Sequence, residues 1–460
     1  MMPESRPRST PLLRQLGLVS ATALVVSNMI GTGIFTTTGF MVGDLGSAKL
    51  VLLVWAAGAL IALCGALCYS ELSVNFPSSG GEYVYLTRAF GPAWGFMTGW
   101  VSFFAGFSAP IAAAALAFSD YVGYFNPAIR QANEALTLGS GAFSLRFGWA
   151  QAVASGLIAV FTVINFFGVK RVARVQNALT GTKLLVIAGL VLGGFLFGTG
   201  DWSHFSERAV RTSVNPLPIA FGISLLWVMV GYSGWNAATY VGEEVRQPDR
   251  TLPAALGLGT AIVALAYLGL NLVFIYATPL EKMKNVVAVG SMAAANLFGP
   301  EIGGAFAVLM AVSLMSTVNA MVTIGPRVYY AMAHNRAFFK SAGTVHPKWR
   351  TPVNAILMQG ACAIVMTLTP FPQLIIYIGF SLTCFTVMAV ASVLVFRRRQ
   401  PGWQKLPAVN FLFPLIPVVY VVVGSATIIY GVIWAPIPSI SALATILAGS
   451  AVYASTRRAA

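Results

Sequence analysis

The fold of this chain is decided by residues 27–35, Ser27-Asn28-Met29-Ile30-Gly31-Thr32-Gly33-Ile34-Phe35. Two glycines flank one hydroxyl residue in the middle of an apolar block. Each glycine lowers helix propensity by about 1 kcal/mol and permits backbone conformations other than the helix. Inside a bilayer, an interrupted helix is tolerated only where it is buried in protein or lines a cavity. The stretch therefore predicts a membrane helix that is broken beside a site.

The composition places the rest of the chain in a membrane as well. Of its 460 residues, 57% are hydrophobic and 9% are charged, whereas a soluble protein has about 25% charged residues. The net charge is +15, which in a soluble protein would indicate nucleic acid. Here the basic residues lie in short loops between apolar blocks, so membrane orientation explains them better. We expect no nucleic-acid partner.

Apolar blocks of about 20 residues predict an all-α integral membrane protein with twelve transmembrane helices. The predicted spans are residues 17–43, 50–76, 93–124, 148–168, 174–198, 215–242, 253–278, 301–332, 353–370, 373–396, 409–431 and 436–455. Of the 28 Lys and Arg residues, 20 fall on the side that carries the N-terminus and 7 on the other side. Because basic residues mark the cytoplasmic side, we predict a multi-pass protein of the cell inner membrane with both termini in the cytoplasm. No cleavable signal peptide is expected, since the first block is too long for one.

A second glycine-punctuated stretch, residues 230–236, lies in the sixth predicted span and reads Val-Gly-Tyr-Ser-Gly-Trp-Asn. With five spans in each half, the second half must be inverted, and paired interrupted helices in two inverted halves indicate a transporter site. The predicted units are a tail at 1–16, a first repeat at 17–198, a second repeat at 215–396, two C-terminal helices at 409–455 and a tail at 456–460. The alternative is that the glycines only allow close helix packing, although G-x-G is not the G-x-x-x-G packing motif.

The broken backbones predict the ligand. A helix that begins after a break presents N–H groups and the positive end of its dipole, which favour a carboxylate. A helix that ends at a break presents carbonyls, which favour an ammonium group. Two such breaks together can bind the zwitterion of an α-amino acid without charged side chains.

These stretches also carry a family resemblance. Residues 28–35 resemble the G-[ST]-G-[IV]-F signature of the amino acid–polyamine–organocation (APC) superfamily. Residues 231–236, followed by Glu-Glu-Val-Arg-Gln-Pro at 243–248, look like its sixth-helix signature in the L-type amino acid transporter branch. The Val-Asn-Ala at 318–320 and the Pro-Arg at 326–327 resemble the eighth helix of that branch.

The resemblance implies a five-plus-five inverted-repeat (LeuT-like) fold with discontinuous helices 1 and 6 and two additional helices. It implies a substrate-binding set in which N–H groups hold the carboxylate and carbonyls hold the amine. The N–H groups are those of Thr32 and Gly33; the carbonyls are those of Met29, Val230, Gly231 and Ser233; Ile30, Gly31 and Asn236 complete the set. Val230 stands where many relatives carry a bulky aromatic gate. In relatives that bind a heavy chain, a cysteine lies in the second outer loop, and residues 125–147 contain none, so no disulfide-linked heavy chain is expected.

Lys183 is the one basic residue that we assign to the interior of a predicted span and not to either side of the membrane. An ionisable group in a membrane is costly and is a functional hypothesis by default. A lysine at this place in the fifth helix resembles a replacement for the sodium ion of sodium-coupled relatives. Its ammonium would contact carbonyls near Gly31 and the hydroxyl of Ser313 or Ser316, which implies sodium independence. The alternatives are a lysine that reaches the interface and a lysine that carries a proton.

The remaining polar residues give weaker predictions. Glu71, Glu82, Glu243 and Glu244 lie near cytoplasmic span ends, where interfacial ion pairs are the favoured interpretation and an inner gate is the alternative. Asn236 lies two residues past the second break and can face the site or bond the unwound backbone. We predict no cofactor, metal site or catalytic grouping, because the sequence lacks the ligand spacing and motifs that these require.

The sequence therefore predicts a secondary transporter rather than an enzyme. The favoured function is sodium-independent exchange of amino acids by alternating access, with neutral L-amino acids preferred because no carboxylate lies at the midplane of the predicted spans. The expected partners are a small amino-acid substrate and the lipid bilayer. The alternatives are a proton-coupled symporter that uses Lys183, a transporter of cationic amino acids or polyamines, and a sensor that binds an amino acid without flux. A channel is disfavoured because no ring of charges appears.

Overall fold

The computed structural model of the protein describes residues 12–31, 33–131, 136–138, 144–286, 289–434 and 436–458. This part of the chain is almost entirely helical. The first nine α-helices are α1 (Leu18–Met29), α2 (Gly33–Leu45), α3 (Ala48–Asn75), α4 (Glu82–Phe90), α5 (Pro92–Val101), α6 (Ala109–Val122), α7 (Trp149–Ile164), α8 (Val169–Phe197) and α9 (Leu217–Gly231). The next nine are α10 (Pro248–Ala277), α11 (Leu280–Met283), α12 (Val289–Phe298), α13 (Ile302–His334), α14 (Val353–Met366), α15 (Phe371–Arg399), α16 (Pro407–Phe411), α17 (Leu415–Trp434) and α18 (Pro436–Arg458).

Shorter elements connect these helices. They include 3₁₀-helices at Pro127–Ile129, Asn165–Phe167, Trp202–Phe205, Ala237–Glu244 and Lys340–Gly343, and a π-helix at Ser102–Ser108 that joins α5 to α6. Strands β1 (Leu136–Leu138) and β2 (Leu145–Phe147) form an antiparallel hairpin in which Thr137 lies opposite Arg146. The hairpin lies between α6 and α7, in the predicted loop 125–147.

Within the described residues, eight helical segments are long and apolar enough to cross a membrane. They are Ala48–Asn75, Pro92–Val122, Trp149–Phe167, Val169–Phe197, Pro248–Ala277, Ile302–His334, Tyr377–Arg399 and Leu415–Ile433. Shorter apolar helices are Leu18–Met29, Leu217–Gly231, Val289–Phe298, Val353–Met366 and Ser439–Ser455. The protein is thus a helical multi-pass membrane protein. The predicted first and sixth spans appear among the shorter helices, because a break divides each of them.

The first predicted span is interrupted where its glycines stand. Helix α1 ends at Met29 and α2 begins at Gly33. At the end of α1, the N–H of Ile30 still donates to the carbonyl of Val26 at 2.9 Å, and the N–H of Gly31 turns back to the carbonyl of Met29 at 2.9 Å. The chain therefore leaves the helix within one turn and starts a new helix four residues after the first one ends.

The second break differs from the first. Helix α9 ends at Gly231, residues 232–236 form turns, and the chain continues as the 3₁₀-helix Ala237–Glu244. The α-helix does not resume until Pro248, at the start of α10. The predicted sixth span, residues 215–242, is thus α-helical only in its first half.

Counterparts from the two predicted halves pack against each other. Helix α3, in the second predicted span, lies along α10, in the seventh. Helix α6, in the third span, lies along α13, in the eighth, and α2 packs on α9. These pairs enclose the two breaks, so that the interrupted backbones lie in the interior of the bundle.

Candidate functional site

The two breaks touch each other. A methyl group added at Gly33 would lie 3.1 Å from the Cα of Gly231. Gly234, with φ +97°, lies against α1: a methyl group there would lie 2.9 Å from the carbonyl oxygen of Asn28. The Asn28 amide in turn donates to the carbonyl of Gly234 at 3.3 Å. Only glycine permits both this backbone angle and this approach, which explains the glycine at position 234.

A cavity of about 330 Å³ opens at this contact. Its walls come from the end of α1, the start of α2, the end of α9 and the facing sides of α6, α13 and α15. The volume is at the lower end of the range of small-molecule sites, about 300–1,000 Å³. Among the described residues, the wall contains no Asp, Glu, Lys, Arg or His. The cavity can therefore hold a small molecule, which its backbone groups and hydroxyls would bind.

Most of the predicted substrate-binding residues lie on this wall. They are Met29, Gly31, Gly33, Val230, Gly231 and Ser233. Ile30 lies apart from them: its side chain is buried in the apolar core, and its carbonyl faces other groups of the protein. Thr32 lies outside the described residues.

The predicted carbonyl ligands already have partners inside the protein. The hydroxyl of Tyr267 lies 2.7 Å from the carbonyl oxygen of Met29 and 3.0 Å from that of Gly231. The hydroxyl and the N–H of Ser233 both point to the carbonyl of Val230, at 2.7 and 3.1 Å. A carbonyl has two acceptor lone pairs. The oxygen of Gly231 keeps capacity for one further donor, whereas that of Met29 accepts from both Tyr267 and the N–H of Gly31 at 2.9 Å.

Lys183 lies deep inside the bundle, with 1% of its surface exposed. Its ammonium donates to the carbonyl of Ile30 at 2.7 Å and to the hydroxyl of Thr317 at 2.9 Å, and lies 3.4 Å from the carbonyl of Ser27. The hydroxyl of Thr317 donates to the same Ile30 carbonyl at 2.9 Å. This geometry excludes the alternative in which the lysine reaches the membrane interface.

The hydroxyl that binds Lys183 is not one of the two that the sequence predicted. Ser316 instead lies 2.6 Å from the hydroxyl of Ser27 and accepts from Gln176 at 3.1 Å. Ser313 contributes its carbonyl, which lies 3.4 Å from the hydroxyl of Thr317. Lys183 does join the first and eighth predicted spans, but through Thr317.

Three residues near the breaks were missed by the sequence analysis: Asn28, Tyr267 and Thr317. Asn28 was part of the quoted stretch, yet only the structure brings it to the cavity wall beside Gly234. Its amide oxygen is buried without a hydrogen-bond partner among the described residues, and buried polar atoms normally have one. Tyr267 comes from the middle of the long helix α10, and the sequence around it carries no signal for its role.

A smaller cavity of about 90 Å³ lies beyond the second break. Asn236 and Tyr240 line it, and it shares Asn28, Val230 and Ser233 with the larger cavity. The Asn236 amide donates to Glu82 rather than to the unwound backbone. Asn236 therefore lines the smaller cavity and is absent from the described wall of the larger one.

The carboxylates near the span ends have different partners. Glu71 forms an ion pair with Arg397 at 2.6 Å, and Glu244 forms one with Arg327 at 2.6 Å. The partner of Glu244 thus comes from α13 and not from the nearby arginines of its own loop. Glu82 is bonded only to neutral side chains among the described residues.

Comparison with known proteins agrees with this arrangement. A family model of amino acid permeases matches residues 16–453. The chain is 31% identical over 433 residues to the serine/threonine exchanger SteT of Bacillus subtilis (strain 168), which covers 91% of this chain and 92% of that protein. It is 29% identical over 449 residues to the large neutral amino acids transporter small subunit 2 of Homo sapiens, covering 96% and 80% of the two chains.

A third relative is the Asc-type amino acid transporter 1 of Mus musculus, which is 29% identical over 456 residues and covers 96% of this chain and 81% of that protein. The match to the family model spans both helix breaks, Lys183 and the helices that surround them. The resemblance to the APC superfamily and the prediction of a transporter rather than an enzyme are thereby confirmed. The chain belongs to the amino acid permease family.

Proposed function

We propose that this protein is a sodium-independent exchanger of neutral L-amino acids that works by alternating access. The observation that carries the proposal is the cavity of about 330 Å³ at the contact of two broken helices, whose described wall has no charged side chain. With such a wall, backbone N–H and carbonyl groups must bind the charged groups of the substrate. These groups fit the carboxylate and ammonium that all α-amino acids share. Similarity to a serine/threonine exchanger and to transporters named for neutral amino acids supports the same substrate class.

In the proposed complex, the substrate carboxylate lies at the start of α2, which begins at Gly33. The positive end of the α2 dipole favours an anion there. The substrate ammonium lies among the carbonyls at the ends of α1 and α9, those of Met29, Gly231 and Ser233. The carbonyl of Gly231, which has one donor in the structure, is the acceptor best placed to bind it.

The substrate side chain extends toward the apolar part of the wall, formed by Phe40, Trp227, Ile375 and Ile378. This lining favours neutral side chains, because a buried ammonium or guanidinium group without a partner would cost several kcal/mol. Cationic amino acids and polyamines are therefore the less favoured alternative. Val230 lines this cavity and two neighbouring ones. The substrate side chain can therefore extend past Val230, whereas a bulky aromatic residue at this position would block it.

Lys183 supports sodium independence. Its Nζ already occupies the position between the Ile30 carbonyl and the Thr317 hydroxyl, so a sodium ion cannot bind at that position. The competing hypothesis, in which Lys183 carries a proton and drives symport, is retained as the second candidate because the group is ionisable.

The wider architecture is part of the proposal: twelve membrane helices, of which the first ten form two inverted repeats at 17–198 and 215–396, followed by two more at 409–455. The packing of α3 on α10 and of α6 on α13 supports it, because a symmetry axis between two repeats brings counterparts together. We further propose that the protein lies in the cell inner membrane with both termini in the cytoplasm, and that it works without a disulfide-linked heavy chain.

Transport by purified protein in liposomes tests the function. We expect uptake of labelled L-leucine and L-serine only into vesicles preloaded with a neutral amino acid, with the same rate in sodium and in choline buffer. L-Arginine and putrescine should not compete. Uptake into empty vesicles under an imposed proton gradient would instead establish symport, and strict sodium dependence would overturn the role of Lys183.

A further inference from the structure

Glu82 is a buried carboxyl group that the substrate site does not use. It lies at the start of α4 with 4% of its surface exposed. The other two deeply buried glutamates of this side, Glu71 and Glu244, each pair with an arginine. Among the described residues, Glu82 forms no ion pair. Burying a carboxylate without a cation is costly, so this residue needs an explanation.

The partners of Glu82 are neutral side chains from two other elements. The hydroxyl of Tyr69, on α3, donates to the Glu82 carboxyl at 2.8 Å, and the Asn236 amide donates to the same oxygen. The hydroxyl of Tyr240 accepts from Asn236 at 3.0 Å and also bonds Glu82. We call these four residues, Glu82, Tyr69, Asn236 and Tyr240, the latch.

The latch joins the loop before α4 to the segment after the second break. A methyl group added at Gly81 would lie 2.7 Å from the ring of Tyr240, and the N–H of Gly80 donates to the Tyr240 carbonyl at 3.3 Å. Farther along the segment, the N–H of Glu243 donates to the hydroxyl of Ser79 at 3.2 Å. The loop and the 3₁₀-helix are therefore held together along their length, with Glu82 at the inner end.

This position is next to the substrate path. Asn236 and Tyr240 line the smaller cavity, which shares Asn28 and Ser233 with the substrate cavity. For an amino acid to leave on this side of the protein, the segment 236–244 must move away from the loop before α4, and Glu82 then becomes accessible to water.

The ionisable groups that face Glu82 are Tyr69 from α3, Tyr85 from α4, Tyr240 from the 3₁₀-helix and Tyr420 from α17. All four are phenols, which are neutral near pH 7. Burial raises the pKa of the Glu82 carboxyl, and the hydrogen bonds from Tyr240, Tyr69 and Asn236 act in the opposite direction. The packed state thus favours the neutral acid, whereas a hydrated state favours the carboxylate.

We propose that Glu82 is a positioning residue that holds a proton while the latch is closed and releases it to water when the latch opens. The O–H bond of the acid breaks on opening, the proton passes to water on the side to which the latch opens, and a proton returns from the same side on closing. No net proton crosses the membrane, so the exchanger becomes sensitive to pH without becoming proton-driven. This inference rests on the proposed exchange function.

The sign of the effect follows from linkage. Protonation stabilises the state in which the pKa of the group is higher, which is the closed latch. Exchange should therefore slow as the pH on the side of the latch falls, by up to about tenfold per pH unit below the midpoint, as expected for one titrating group.

Initial rates of leucine exchange in preloaded liposomes, measured from pH 5 to 8.5, test this. In Glu82→Gln the carboxyl is replaced by a group that stays neutral, so we expect slow exchange at all pH values and a flat profile. In Tyr69→Phe the carboxyl remains but loses one donor that lowers its pKa, so we expect the midpoint to move to higher pH. Glu281→Gln, at an exposed carboxylate, is the matched control and should keep the wild-type profile.

The outcomes separate the two hypotheses. If the wild-type protein does not exchange amino acids at any pH, the proposed function fails. If it exchanges amino acids but the Glu82→Gln profile keeps the wild-type shape, or Tyr69→Phe leaves the midpoint unchanged or lowers it, the role of Glu82 is overturned. Since Tyr69→Phe keeps the ring and the carboxyl, it provides a test even if Glu82→Gln fails to fold.

Discussion

Gly234 is where the second break packs closest to the first helix. Its φ is +97°, and a methyl group on its Cα would lie 2.9 Å from the Asn28 carbonyl oxygen, so there is no room for a side chain. Gly222, earlier in α9, has nothing within 4 Å of the same position. A side chain is therefore excluded at Gly234 but not at Gly222. The sequence alone does not distinguish the two positions, because both are glycines within the sixth predicted span.

We predict that Gly234→Ala destabilises the protein by about 1–3 kcal/mol, the cost of a strained backbone angle, and lowers leucine exchange at least about tenfold. The measurements are the melting temperature in detergent and the exchange rate in liposomes. Gly222→Ala is the control and should match the wild type in both. Equal behaviour of the two variants would show that the close contact between the breaks is dispensable.

The hydroxyl that binds Lys183 gives a second prediction at this scale. Thr317→Val keeps the shape of the side chain but removes the bond to the ammonium at 2.9 Å. Loss of a hydrogen bond to a charged group costs about 1.5–3 kcal/mol, so we expect a clear loss of exchange activity. Ser313→Ala removes one of the two hydroxyls that the sequence predicted and should leave exchange close to wild type. A loss of exchange in Ser313→Ala would instead support the predicted role of Ser313.

The sequence could not choose between these hydroxyls for a geometrical reason. Ser313, Ser316 and Thr317 are spaced i, i+3 and i+4, so they lie on one face of α13. The pattern gives the face, but the rotation and depth of α13 against α1 decide which hydroxyl meets the lysine. That rotation depends on packing with several other helices, which one sequence does not reveal.

At the scale of elements, the two breaks are held together by a residue that belongs to neither. Tyr267, on α10, places its hydroxyl within hydrogen-bonding distance of the carbonyls of Met29 and Gly231. One hydroxyl proton cannot satisfy both carbonyls at once. Any change in the separation of the two breaks therefore changes which of the carbonyls receives it.

We predict that Tyr267→Phe weakens substrate binding, raising KM with a smaller effect on kcat, because the ring remains while the carbonyls lose their shared donor. Concentration dependence of leucine exchange measures this. Tyr276→Phe is the control: it lies on the same helix, and its ring packs on Trp202 away from the breaks. An unchanged KM in Tyr267→Phe would contradict a role of this hydroxyl in shaping the site.

The ends of the broken helices could be predicted from the sequence, but the type of helix after the second break could not. Glycine positions and the lengths of apolar blocks indicated where α1 and α9 end. The 3₁₀-helix Ala237–Glu244 was not foreseen, because its residues carry no signal for that geometry. It follows from the contacts with the loop before α4, including the close approach at Gly81, and such long-range contacts override local propensity.

At the scale of the whole molecule, buried ion pairs tie distant segments together on one side of the bundle. The guanidinium of Arg327 on α13 holds both carboxylate oxygens of Glu244, at 2.6 and 3.3 Å. The backbone carbonyl of Glu244 also accepts from the N–H groups of Gln15 and Leu16, at 2.8 and 2.9 Å. The chain before α1, the end of the second break and α13 thus meet at one residue.

We predict that Arg327→Met is more harmful than the double variant Arg327→Met with Glu244→Gln. The single change leaves a buried carboxylate without its cation, which costs about 3–5 kcal/mol, whereas removing both charges avoids that cost. Melting temperatures and exchange rates of the two single variants and the double variant form the test. If the double variant is less stable than Arg327→Met, the prediction is wrong, and Glu244 stabilises the protein through contacts other than its ion pair with Arg327.

Much of the overall architecture followed from the sequence. Membrane residence, the helical class and the positions of the two breaks came from composition and spacing, because the bilayer permits few alternatives. The partner of Glu244 was not predictable, since Arg327 is 83 residues away along the chain and nearer arginines were available. For the same reason, the sequence could not predict that Glu82 forms no ion pair among the described residues. A carboxylate at a span end has the same neighbours in the sequence whether or not a distant arginine pairs with it.

The unequal ends of the two breaks have a geometrical consequence. The 3₁₀-helix Ala237–Glu244 is kinked at Val241. Its eight residues extend at most about 16 Å at a rise of about 2.0 Å per residue, but would extend only about 12 Å as an α-helix at about 1.5 Å per residue. The 3₁₀ geometry thus makes the segment about 4 Å longer than an α-helix of the same residues would be. The segment that follows the first break, α2, is α-helical from Gly33, so this extra length per residue is found only after the second break.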